Sequence, residues 1–287
     1  MNPTTLRTFL FVSAGCAFIA NAQARSEHTS THQTLHFAGT GTHTLEVRTV
    51  TGMITIEAYD GKDVEMIIDK TVDADSEDNL REANREVILD TAENASTVQA
   101  IVKYPNEGIC GEDNRWARHH DYPHYDVRFD FKIRVPRDTR LQLCAINKGD
   151  IAVTGTQGDF DIRSINGHIT MTDVGGSGNA TTINGPVNAS FVTAPQAPSV
   201  FKTINGAVII TLPDRLCADL RMKTFNGELL TDFESQLLPV QPVARERSNG
   251  MAEYRSTGFT AVRVGSGGPE LTLETLNGDV RVLRRPK

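Results

Sequence analysis

One short phrase, Ser/Thr-hydrophobe-Asn-Gly, recurs through the second half of the chain and limits what it can fold into more than any other feature. It reads Ser164-Ile165-Asn166-Gly167, Thr182-Ile183-Asn184-Gly185, Thr203-Ile204-Asn205-Gly206, Thr224-Phe225-Asn226-Gly227 and Thr275-Leu276-Asn277-Gly278. A looser copy, Ala145-Ile146-Asn147-Lys148-Gly149, precedes them. The glycines fall at intervals of 18, 18, 21, 21 and 51 residues. A repeat of this length is one structural unit copied along the chain, and such units are stable only when neighbours stack.

Asn and Gly tolerate left-handed backbone angles, so each copy marks a turn. Two architectures use such turns. In a hairpin meander, Asn-Gly is a two-residue loop, and Ile162, Ser164, Ile169 and Met171 share a face, as do Phe201, Thr203, Val208 and Ile210. In a β-solenoid, the same pair turns a corner of each coil. The residue before each Asn is apolar in every copy: Ile146, Ile165, Ile183, Ile204, Phe225 and Leu276. A hairpin sends that residue away from the core, whereas a solenoid corner can fold it inward. The pattern therefore predicts an all-β, right-handed β-solenoid-like stack of 18–21-residue repeats, with a β-sandwich or meander as the alternative. Asn166, Asn184, Asn205, Asn226 and Asn277 then form a structural turn ladder, each side chain bonding the next repeat's backbone. Six repeats at about 4.8 Å span about 30 Å.

The chain divides unevenly around this core. Residues 1–24 read as a signal peptide: Arg7 is the basic n-region, Thr8 to Ala20 the apolar stretch, and Ala22-Gln23-Ala24 the cleavage site. Ser13-Ala14-Gly15-Cys16 is a weaker match to a lipoprotein box. Residues 25–34 are polar and read as a flexible N-terminus. Residues 35–140 read as a β-rich capping region, with alternation in Leu45, Val47 and Thr49 and again in Ile54, Ile56 and Ala58. Within it, Leu80, Ala83 and Val87 at helical spacing predict a helix over about 76–90, capped by Asp75 or Ser76. The β-repeat region covers 141–283 with an insertion at about 234–258, so the last repeat is expected one unit beyond the fifth. The ends of a stack need covering. The capping region is placed to do this at the start, and Arg284-Arg285-Pro286-Lys287 at the finish.

The start Thr44-Leu45-Glu46-Val47-Arg48-Thr49-Val50-Thr51-Gly52-Met53-Ile54-Thr55-Ile56, the repeated Thr-Ile-Asn-Gly phrases, and the ending Glu270-Leu271-Thr272-Leu273-Glu274-Thr275-Leu276-Asn277-Gly278-Asp279-Val280-Arg281-Val282 resemble the bacterial putative-adhesin domain family. The likeness spans roughly residues 40 to 283. It implies an exported, β-rich, solenoid-like envelope protein and supplies no catalytic residues. The long segment of residues 105–124 and the insertion depart from the family pattern.

A hydrophobic content of 39% suits a soluble folded protein. A net charge of −7 argues against a nucleic-acid partner. No apolar run reaches the roughly 18 residues of a transmembrane helix. Past the signal, Cys110, Cys144 and Cys217 remain, and the sequence does not say which of them pair. The sharpest chemical candidate is the segment with Cys110, Asp113, His119, His120, Asp121 and His124, whose side chains are metal-ligand types. Their spacing matches no zinc template, so a solvated segment anchored by Trp116 and Tyr122 is expected, with no metal. His28, His32 and His36 read as tail residues. Asp150, Asp159, Asp161 and Asp173 could serve a carbohydrate-active enzyme in a solenoid groove, but they sit at outward or turn positions. The expected function is a non-enzymatic cell-envelope protein of the periplasm or cell surface, without cofactor, binding a protein or glycan. Outward columns such as Arg163, Lys202 and Lys223 are candidate contacts. A carbohydrate-active enzyme and a structural scaffold are the alternatives.

Overall fold

The computed structural model describes residues 25–105, 124–239, 245–248, 251–254 and 258–286. The leading part forms β1 (Arg25–Leu35), β2 (Thr44–Thr51), β3 (Ile54–Tyr59) and β4 (Val64–Ala74). Helix α1 (Glu77–Glu86), β5 (Ile88–Glu93), β6 (Thr97–Lys103) and β7 (Tyr125–Pro136) follow. The repeats then supply strands in pairs: β8 (Arg140–Asn147) with β9 (Ile151–Thr154), and β10 (Phe160–Asn166) with β11 (Ile169–Val174). Next come β12 (Gly178–Thr181) with β13 (Val187–Phe191), and β14 (Ser199–Lys202) with β15 (Val208–Leu212). β16 (Ala218–Lys223) and β17 (Leu229–Thr231) make the fifth pair. Beyond it lie β18 (Ser235–Leu237), β19 (Arg245–Ser248), β20 (Met251–Tyr254) and β21 (Thr260–Val264), then β22 (Glu270–Glu274) and β23 (Val280–Arg284).

Apart from α1 the fold is all-β, built on two large mixed sheets. One runs β1-β4-β7-β3-β9-β11-β13-β15-β23-β17, the other β18-β21-β16-β22-β14-β12-β10-β8-β2-β6-β5. β19 and β20 pair only with each other. A hairpin at Asn166-Gly167 would have paired β10 with β11. Instead the two strands lie in different sheets, so the Asn-Gly of each repeat carries the chain from one sheet to the other. Equivalent strands of neighbouring repeats pair in parallel, as Ile169 does with Ile151 and with Val187.

The two inner faces meet in one apolar core. Side chains stack in columns by size and branching: Ile54, Ile151, Ile169, Val187, Val208 and Val280 align in one sheet, and all are buried. In the other sheet Val47, Leu143, Ile162, Ala180, Phe201, Leu273 and Met222 align. Small Ala180 makes room for large Phe201, whose ring meets Phe191 edge-on at 5.9 Å and Phe160 at 6.2 Å. Burying each such side chain contributes about 1.5–3 kcal/mol.

The order of the last repeats departs from the sequence expectation. β22 lies between β14 and β16, and β23 between β15 and β17. The C-terminal repeat is thus inserted between the fourth and fifth, not added beyond the fifth. Charge favours this order. In sequential stacking Lys202 would stand opposite Lys223, and like charges directly opposite are destabilising. With β22 between them, Glu274 lies 3.0 Å from Lys202 and 3.4 Å from Lys223. The C-terminal tail is accordingly not at the end of the stack. Arg284 pairs with Asp214 and Arg285 with Asp173. Antiparallel β21 and β18 cover the end of one sheet, while β17 ends the other.

Two expectations in the leading part also change. Residues 25–35 are a strand rather than a free tail, paired antiparallel with β4 from Arg25↔Ala74 to Leu35↔Val64. An edge strand wet on both faces needs no apolar pattern, which is why its polar sequence gave no signal. Ser30 also donates to Asp69 at 2.7 Å. The helix ends at Glu86, short of residue 90, because Val87 turns extended and Ile88-Leu89 enter β5. Ser76 is its N-cap, its side chain accepting from the Asn79 N–H. No described helix is long and apolar enough to cross a membrane.

The charge column yields a test. Burial pushes the Glu274 carboxyl up, but hydrogen bonding and attraction from Lys202 and Lys223 outweigh this and hold its pKa below the ordinary value. A depressed folded pKa stabilises above the unfolded value of 4.5 and loses that contribution as pH falls through the folded one. Glu274→Gln should lower stability by about 0.5–1 kcal/mol at neutral pH, measured by urea unfolding, since all three side chains are partly exposed. The difference should disappear in strongly acidic buffer, and Glu274→Lys should be worse than Glu274→Gln at neutral pH.

Candidate functional site: the asparagine corner

The corner is built from three adjacent columns. Innermost is Ser/Thr. Ser164, Thr182, Thr203, Thr275 and Thr224 donate their hydroxyls to the carbonyls of Gly149, Gly167, Gly185, Gly206 and Gly278, each in the neighbouring repeat, at 2.8–3.2 Å. These hydroxyls take the inward position because each neighbouring repeat's carbonyl needs a partner there. Alternation then sends the next residue outward.

That outward residue is the apolar one, so the inward placement expected from the sequence is corrected. Ile183 is 39% exposed, Ile204 37%, Leu276 46% and Phe225 78%. Ile146 and Ile165 are half-buried, and Val50, the equivalent residue of β2, is buried. In the order of the repeats the column is thus buried at its start, at Val50, and most exposed at its end, at Phe225.

The asparagines stand beside this column and bond through their side chains, not to the next backbone as expected. The Nδ2 of Asn166 donates to Asn147 Oδ1 at 3.1 Å, and that of Asn184 to Asn166 at 2.7 Å. Asn205 donates to Asn184 and Asn277 to Asn205, each at 2.8 Å. Asn226 donates to Asn277 at 2.7 Å, closing a ladder whose order matches the inserted repeat. The glycines complete the corner. At Gly206 (φ +153°) an added Cβ would stand 2.3 Å from the Gly185 carbonyl oxygen, so only glycine lets neighbouring repeats approach this closely. The sequence reading missed the first unit of this kind. Thr51 pairs with Asn147 and occupies the asparagine position, followed by Gly52. Hydrophobe-polar-Gly, in place of strict Asn-Gly, would have found it.

The other sequence candidates are scattered. Arg163 pairs with Asp161 at 2.9 Å, and Lys202 and Lys223 share Glu274, so each cation of this outward column has a carboxylate partner. Asp150 accepts from the His168 N–H and Asp159 from the Ser177 N–H, each one repeat on, while Asp173 pairs with Arg285. Asp150 and Asp159 thus tie neighbouring repeats together. Cys110, Asp113, Trp116, His119, His120, Asp121 and Tyr122 lie outside the described residues. His124 is exposed, with Nδ1 3.3 Å from an Asp75 carboxylate oxygen. Among the described residues no group of three or more His, Cys, Asp or Glu could hold a metal ion. His28 lies in β1 beside Thr71 Oγ1 at 3.2 Å, and His36, just after β1, lies beside Asp63 at 2.8 Å, whose hydrogen bond and charge raise its pKa. Cys144 is disulfide-bonded to a partner outside the described residues, and Cys217 is a free exposed thiol.

No family model and no curated protein matches this chain. Among solved structures it is similar to a putative cell adhesion protein from Clostridium sporogenes, at 8% identity and TM-score 0.43, covering 90% of this chain and 100% of that one. It is also similar to a putative adhesin from Bacteroides fragilis, at 10% identity and TM-score 0.36, covering 90% and 97% respectively. Scores this low carry no argument about activity.

The ladder predicts graded stabilities. Asn205→Ala removes two side-chain bonds and should cost about 1 kcal/mol, whereas Asn226→Ala at the ladder's end removes one and should cost about half as much. Gly206→Ala should cost about 2 kcal/mol or more, because its methyl meets a backbone oxygen. Urea midpoints of the three variants, compared with wild type, check the ranking.

Proposed function

We propose that this chain is an exported, non-enzymatic cell-envelope protein whose repeats wind into a right-handed β-solenoid-like stack and whose corner binds an extended protein segment. Parallel pairing of equivalent strands in both sheets, with Asn-Gly crossing between them, supports the winding. Its hand follows the general preference of parallel crossovers. The Cys144 disulfide supports export, since disulfides persist in oxidising compartments. The basic n-region, apolar stretch and Ala22-Gln23-Ala24 of the leading segment support it as well.

The observation that carries the binding role is the exposed column Ile183, Ile204, Leu276 and Phe225. Nothing in the fold requires apolar side chains there, and an aligned apolar strip marks an interaction surface. A protein partner fits better than a glycan. The neighbouring asparagine amides already bond one another, which leaves apolar area rather than free polar groups to recognise sugar hydroxyls. The engagement of Asp150, Asp159, Asp161 and Asp173 in structural bonds supports a non-enzymatic role.

Immobilised mature protein should retain material from the protein fraction of the cell envelope, with retention falling about tenfold in an Ile204→Ser, Leu276→Ser, Phe225→Ser variant, the loss expected for removing a few interface anchors. Retention only from the protein-free glycan fraction, or retention unchanged in the variant, would contradict the proposal.

A further inference from the structure

We infer that Asn226 is a built-in site of spontaneous deamidation, and that the ladder shields its four other Asn-Gly pairs, at Asn166, Asn184, Asn205 and Asn277, from the same reaction. Asn-Gly is chemically labile because glycine offers no side chain to hinder attack by its own backbone nitrogen. The Gly227 nitrogen gives up its proton to solvent base and bonds to Asn226 Cγ. The Cγ–Nδ2 bond then breaks and ammonia leaves. Water opens the resulting cyclic imide to aspartate or isoaspartate.

The structure separates the five pairs. Asn166, Asn184, Asn205 and Asn277 each donate to one neighbour through Nδ2 and accept from the other through Oδ1. The attacking nitrogens are also engaged: the N–H of Gly185 donates to the Asn205 carbonyl at 2.8 Å. Those of Gly206 and Gly278 donate to the Asn277 and Asn226 carbonyls at 2.9 Å. Imide formation at these sites must break bonds on both sides of the ladder before the new ring can close.

Asn226 is the last member. Its Nδ2 donates to Asn277, but among the described residues nothing donates to its Oδ1 and the Gly227 N–H has no acceptor. β17, which follows it, is the end strand of its sheet, and Phe225 before it is largely exposed. Asn166, whose amide is engaged on both sides and which is bridged to Asn184, belongs with the shielded sites. Conversion at position 226 replaces a donor by a carboxylate facing Asn277 Oδ1, which loosens the terminal repeat and moves its exposed Phe225.

The test is incubation of folded full-length protein at mildly alkaline pH, followed by site-resolved peptide mapping, with urea-unfolded protein as reference. In the unfolded chain the five sites should convert at comparable rates. In the folded protein Asn226 should convert at least about tenfold faster than Asn184, Asn205 or Asn277, the factor supplied by roughly one or two net hydrogen bonds held in the ground state. Equal folded-state rates, or a faster site among those three, would overturn the inference. So would an Asn226 that stays intact in folded protein while its unfolded counterpart converts.

Discussion

Everything in the repeat region depends on how closely one repeat approaches the next at the corner. The neighbouring glycine carbonyl sits where a Cβ would otherwise be, 2.3 Å away at Gly206 and 2.0 Å at Gly227. That proximity lets a Ser/Thr hydroxyl reach the same carbonyl from inside and brings successive asparagine amides within 2.7–3.1 Å outside. Glycine supplies the approach, threonine satisfies the buried acceptor, and asparagine ties the outer side. Remove the approach and both bonded columns lengthen together.

The corner alone does not fix which repeat lies beside which, because every copy offers the same groups. The faces of the sheets do. Glu274 between Lys202 and Lys223 distinguishes the inserted order from the sequential one, and Arg221 adds a bond to Glu270 at 3.2 Å. The fifth repeat therefore rests on β22 and β23, which leave the ribosome after β16 and β17 and must arrive before those strands gain their parallel partners. Such long-range closure carries a loop-entropy cost and slows assembly.

Much of this was legible in the sequence, and the failures have physical causes. The Asn-Gly spacing located every corner from Asn147 to Asn277, since only turn chemistry recurs so strictly. The order of the last two repeats was not legible, because spacing records position along the chain and not neighbours in space. The opposed lysines were a readable hint. The outward apolar column was misplaced because core apolarity and surface apolarity look alike in sequence, whereas Ser/Thr at the inward position reflects a buried carbonyl visible only in three dimensions. β1 was missed since an edge strand wet on both faces carries no periodic signal. Of the candidate site, the asparagines could be named in advance, but their side chain-to-side chain bonding and the exposure of Phe225 could not.

The apolar column runs from buried Val50 to a largely exposed Phe225, so the surface proposed for recognition and the asparagine proposed as least protected fall at the same end. This arrangement requires the C-terminal repeat to lie between the fourth and fifth. Nuclear Overhauser contacts among the asparagine side-chain amides test that most directly, in protein labelled with nitrogen-15 at asparagine alone. The structure predicts cross-peaks linking Asn205 to Asn277 and Asn277 to Asn226, with none between Asn205 and Asn226. A direct Asn205–Asn226 contact, leaving Asn277 beyond Asn226, would contradict it.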